Sequence, residues 1–149
     1  MGERSRSDSS EQKRAERIIL KSVRSRLGIR LEQEPKLSVG TTYMQPDFYS
    51  EKHAVIGEIF CHIGKPKKAQ DNKIANDILK MLLFEKLSGR TMRKMIIVCD
   101  SEEYDKLCGE SVLAECIRAF GIEVRMIEIS AALRKRILKA QDRQKMVNS

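Results

Sequence analysis

Two carboxylates stand where carboxylates are expensive. Asp47 follows Pro46 at the start of a short extended stretch, and Glu58, eleven residues on, lies inside AVIGEIFCHIG, a run otherwise apolar except for His62. Such a run reads as a central strand covered on both faces, and an acid within it has to be neutralised. The polar stretch Ser50-Glu51-Lys52-His53 lies between the two acids and reads as the turn of a hairpin that brings them together. Cross-strand neighbours in an antiparallel pair are about 5 Å apart, so the two acids repel unless a cation intervenes. A hard divalent ion, Mg²⁺ or Mn²⁺, suits such an oxygen donor set. It would acidify a bound water for attack and offset charge on a phosphoryl oxygen. The residues alone leave a second arrangement open, in which Asp47 is a turn residue and Glu58 pairs with a buried Lys or Arg.

The surrounding elements follow from periodicity. Ala15, Ile18, Ile19, Val23 and Leu27 form a helical stripe that Gly28 closes. Residues 29–50, broken by Pro35, Gly40 and Pro46, read as short strands and turns. A helix over 68–87 places Ile74, Ile78, Met81 and Leu82 on one side. Lys94–Cys99 reads as a buried strand, Glu102–Phe120 as one acidic helix, Ile122–Ile129 as a strand, and Ser130 as the N-cap of a last helix. This alternation predicts an α/β fold with a central sheet flanked by helices. A disordered stretch is expected over residues 1–10, followed by a single domain over 11–149.

The net charge is +8 with a pI near 9.5, and basic segments (1–26, 64–94, 131–149) alternate with acidic ones (27–63, 95–130). A polarised basic surface of this kind suits a polyanionic partner. Gly64-Lys65-Pro66-Lys67-Lys68 lacks the spacing of a phosphate loop, so Lys65, Lys67 and Lys68 are better read as contacts to a DNA backbone. With 5% aromatic residues and no Trp, stacking on a single strand is mildly disfavoured, so a DNA partner is expected to be double-stranded. A homodimer is compatible with this reading. No apolar run is long enough to span a bilayer and the N-terminus lacks a secretory signal, so a cytoplasmic location without a membrane partner is expected. Of the four cysteines, three lie in apolar runs and are expected to be small buried hydrophobes; no CxxC pair points to zinc.

Pro46-Asp47, then Gly57-Glu58 in an apolar strand, then a helix beginning near Gln70 resembles the PD-(D/E)XK phosphodiesterase superfamily. The likeness covers about residues 11–100, in the order helix, three-stranded meander, helix, strand. It implies a restriction-endonuclease-like mixed sheet flanked by helices and a Mg²⁺- or Mn²⁺-dependent endonuclease or related DNase, with Asp47 and Glu58 as metal ligands. That superfamily, which includes Holliday junction resolvases, carries a lysine two residues after the second acid, and here Phe60 stands there. Either turnover is lost, leaving a nucleic-acid-binding or assembly module, or another lysine replaces it. Lys73, on a helical stripe with Gln70, Asp77 and Lys80, is the candidate. His62 shares a strand face with Glu58 and is a candidate proton carrier or weak ligand. Glu16 or Glu11 would supply the additional acid that some members take from the first helix.

Overall fold

The computed structural model describes residues 2–148, with side chains for 10–146. The chain runs α1 (Gly2–Leu27), β1 (Glu32–Gln33), β2 (Leu37–Val39), β3 (Thr42–Met44), β4 (Phe48–Ser50), β5 (Val55–Phe60), α2 (Lys68–Ser88), β6 (Arg93–Val98), α3 (Ser101–Leu107), α4 (Val112–Ala119), β7 (Ile122–Met126) and α5 (Ala131–Asn148). The expected disordered stretch over residues 1–10 falls at the start of α1, where most side chains lie outside the described residues.

A five-stranded mixed sheet in the order β1-β4-β5-β6-β7 forms the centre. The β1, β4 and β5 strands are antiparallel neighbours, whereas β5, β6 and β7 run parallel. The meander expected from the sequence therefore exists as β1-β4-β5, but it is interrupted. Strands β2 and β3 leave it as a separate two-stranded hairpin.

Strand parity explains the layers. Val55 and Ile59 point into a core shared with α1 and α5, while Ile56 and Phe60 point into a core shared with α2, α3 and α4. Gly57 permits a close approach in the sheet: a Cβ there would stand 2.0 Å from the Phe48 ring, so only glycine lets the fully buried phenylalanine lie across β5. This contact and the pairing of Phe48 with Gly57 fix the register of β4 on β5.

Helix termini follow local chemistry. Gly28 adopts φ 65°, and its N–H bonds the Arg24 carbonyl at 2.9 Å, ending α1. The Ser130 Oγ accepts the Leu133 N–H at 3.1 Å and starts α5, as expected. Three expectations need correction. The Glu102–Phe120 helix is two helices, because Gly109 interrupts the chain and Ser111 caps a new start by accepting the Ala114 N–H at 3.1 Å. The buried stripe of α1 is Ala15, Ile19, Leu20 and Val23, and Ile18 is 44% exposed, since the helix presents its 19/20 edge to the sheet. Only Cys61 and Cys99 are buried, each one residue past the end of its strand, β5 or β6; Cys116 is half-buried and Cys108 exposed in the turn that divides α3 from α4.

Candidate metal centre

Strand β4 is three residues long and pairs only with the first half of β5. Asp47 occupies the next position, which the register places opposite Glu58. Its Oδ2 accepts the Ile59 N–H at 2.7 Å, so the carboxylate supplies the partner that the short strand does not. Glu58 projects toward α2, is 8% exposed, and lies within hydrogen-bonding reach of the Asp47 carboxylate. The hairpin thus brings the two acids together.

Burial pushes the Glu58 carboxyl up to about 10, and the nearby Asp47 and Asp77 carboxylates push in the same direction. The alternative in which Glu58 pairs with a buried base is not what the fold contains. Lys94, a buried lysine, bonds Glu85 at 2.5 Å instead, and no ion pair joins Glu58 to a base among the described residues.

Further acids converge on Asp47. Carboxylate oxygens of Glu16, Glu34 and Asp47 lie within 4.8 Å of one another. Glu16, on α1, is raised to about 7, first by burial and then by Asp47, with Lys13 and Lys73 opposing. Glu11 faces elsewhere, lining a gap beside Cys61 and α5, so of the two first-helix candidates it is Glu16 that joins the cluster. Glu34 was not legible as a site residue. It is held in a left-handed conformation, φ 49°, by its N–H to the Asp47 carbonyl at 3.2 Å and by Lys13, which bonds its carboxylate. Its position before Pro35 marks a turn, but nothing local says where the side chain points.

On the α2 side, Asp77 is raised by burial and by Asp47, while Lys73 and Lys80 oppose the shift. Lys73 therefore lies within electrostatic range of both Glu16 and Asp77. All the converging donors are hard carboxylate oxygens, and several are held in conditions that penalise their charge. This donor set fits Mg²⁺ or Mn²⁺ and does not resemble a zinc site.

No protein-family model, curated protein or solved structure matches this chain. The site therefore has to be read from its own geometry.

The remaining candidates fall outside the acid cluster. His62 shares the Glu58 face, as strand alternation requires, but its Nδ1 lies 2.9 Å from Glu103 Oε1 and its ring stacks on Phe60. Gln70 is engaged at the start of α2, where its side chain accepts the Lys67 N–H. Lys65, Lys67 and Lys68 are exposed and have no carboxylate partner among the described residues. Glu103 was missed altogether. It is fully buried, and its spacing of four from the buried Leu107 was the available signal that it belongs to the inner face of α3.

Proposed function

We propose that this chain is a divalent-metal-dependent phosphodiesterase of the PD-(D/E)XK type acting on DNA. The observation that carries the reading is the side-by-side placement of Asp47 and Glu58 in a buried position with no base paired to Glu58. Two such acids remain together near neutral pH by holding a proton or by sharing a cation. Asp47 and Glu58 would hold the ion, with Glu16 and Glu34 grouped around Asp47. Once bound, Mg²⁺ or Mn²⁺ supplies acidity to a water and positive charge opposite the scissile phosphate. Lys73 would position the attacking water and offset negative charge from the α2 side, the part that Phe60 cannot play. Lys65, Lys67 and Lys68, beyond the end of β5, would hold the backbone by charge, independently of sequence.

One observation favours a second reading. Phe60 is buried and stacked on His62, so the position that carries lysine in the superfamily is here part of the core. A nuclease fold that binds nucleic acid without cutting it would have that character. Calorimetric and thermal titration with Mn²⁺ and Mg²⁺ separates the two. Saturable binding that raises Tm and disappears in Asp47→Ala, together with Mn²⁺-dependent nicking of supercoiled DNA, supports the enzyme. Absence of both supports the module.

A further inference from the structure

A second polar constellation lies beyond the acid cluster, where β5 gives way to the turn leading into α2. There a cleft of about 580 Å³ opens between that turn and α5, lined by His62, Lys65, Lys67, Gln70, Gln141 and Lys145 among others. Its walls are tied in place. The Gln141 side chain accepts the Ile63 N–H at 2.9 Å and donates to the Ile63 carbonyl at 3.0 Å, clamping the turn to α5. The Gly64 N–H bonds Asp100 Oδ2 at 3.0 Å, and Asp100 is itself held by Arg134 at 2.9 Å. A cleft tied by four such contacts is largely formed before any ligand arrives.

Its charge is unbalanced. The acids around it are already paired: Asp100 with Arg134, Asp71 with Lys106, and Glu103, from below, with His62 of the cleft itself. Lys65, Lys67 and Lys145 have no carboxylate partner among the described residues, although all three line the same cleft. Beneath them His62 is recessed, its side chain 16% exposed. The wholly buried Glu103 lies 2.9 Å from Nδ1 and fixes the ring; with Nδ1–H turned to Glu103, Nε2 donates toward the cleft in the imidazolium form and accepts in the neutral one. Three lysines around an oriented imidazole suit a compact anion with several acceptor oxygens.

We propose that this cleft receives the terminal phosphomonoester of a DNA strand, with Lys65, Lys67 and Lys145 neutralising it at the rim and the imidazolium form of His62 donating to it from the floor. The inference deepens the DNA reading above and rests on it for the identity of the ligand. A terminal phosphate carries close to two negative charges and three free oxygens, whereas a backbone phosphodiester carries one charge and is flanked by sugars. An end group entering head-on can reach the recessed imidazole; a backbone crossing the rim cannot. Glu103 is a positioning residue, acting through the His62 ring.

The test is binding by fluorescence anisotropy, in EDTA and at fixed salt, of three otherwise identical duplexes ending in 5′-phosphate, 3′-phosphate or hydroxyls. EDTA keeps the outcome independent of the metal centre, so loss of metal binding and loss of end recognition are read separately. One phosphorylated end should bind at least about tenfold more tightly than the hydroxyl end, and which end does so names the source of the phosphate. Lys65→Ala/Lys145→Ala should abolish that ratio even where it also lowers affinity for all three duplexes. His62→Gln should reduce the ratio while leaving affinity for the hydroxyl-ended duplex within about twofold. The lysines are exposed, so the double variant is expected to fold, and its Tm checks this. Equal affinity for the three duplexes, no binding to any of them, or a preference that survives the double lysine substitution overturns the proposal.

Discussion

Asp47 faces Glu58 one position beyond the last β4–β5 pair, and its Oδ2 accepts the Ile59 N–H at 2.7 Å. The same carboxylate therefore closes an open strand edge and presses charge against a buried acid. Substitutions can separate these roles. Asp47→Asn keeps an oxygen for the Ile59 N–H and removes the charge, so it should hold or raise Tm without metal and abolish the Mn²⁺-induced rise. Asp47→Ala should lose the metal response and also lower stability by about 1–2 kcal/mol, because the Ile59 N–H loses its partner. Differential scanning calorimetry with and without Mn²⁺ distinguishes them; equal stability of the two variants would contradict the edge-closing role.

The pH dependence has a definite sign. Glu58 is raised to about 10 and Glu16 to about 7, from ordinary values near 4.5, with burial the largest cause for both. Between the ordinary and raised values the folded chain holds protons that the unfolded chain has released, so their contribution to stability is complete below about 4.5 and declines as pH rises. Without metal, Tm should fall from pH 6 to pH 9, and Glu58→Gln should flatten the slope and raise Tm at pH 8.5 by roughly 5 °C. Mn²⁺ should stabilise more at pH 8.5 than at pH 6, since the ion competes with protons. Asp100, Glu85 and Glu123, which are lowered, act below about 4.5 and lie outside this window. A metal-free Tm that is flat across pH 6–9 would refute the assignment.

How much of this was legible depends on the range of the interaction concerned. Glu58 stood out because an acid in an apolar strand violates the local pattern, and the turn after Ser50 was enough to bring Asp47 across from it. The N-cap Ser130 and the C-terminal Gly28 were readable because capping is decided within four residues. The break between α3 and α4 had its signal in Gly109 followed by Ser111, which periodicity across the gap concealed. His62 and Glu103 meet across 41 residues, and the convergence of Glu34 with Glu16 depends on packing α1 against the meander. No local rule reports contacts of that kind.

Gly57 links the packing to the site. A Cβ would enter the Phe48 ring at 2.0 Å, and Phe48 directly follows Asp47. Gly57→Ala should therefore displace β4, cost about 2–4 kcal/mol, and weaken Mn²⁺ binding although no ligand is altered. Phe48→Leu in the same chain should recover part of both losses by vacating the space. A Gly57→Ala variant with unchanged Tm and metal affinity would show that the close approach does not set the position of Asp47.

Lys73 carries the last prediction. It is an exposed residue of α2, yet its charge opposes the upward shift of both Glu16 and Asp77. If it stands in for the lysine that Phe60 displaces, its contribution belongs to the transition state, where it holds the attacking water and offsets growing negative charge. Lys73→Ala should then lower Mn²⁺-dependent cleavage of supercoiled DNA by about 10²-fold or more with nearly unchanged DNA affinity. Lys80, about two turns further along α2, opposes the Asp77 shift, so Lys80→Ala is the control and should change cleavage by less than about threefold. Metal-free Tm provides an independent check, because removing a cation from beside two raised acids should push both higher still and steepen the fall of stability with pH. Wild-type cleavage in Lys73→Ala would remove this lysine from the mechanism. A steeper pH profile alone, without loss of cleavage, would leave it an electrostatic neighbour of the acids and nothing more.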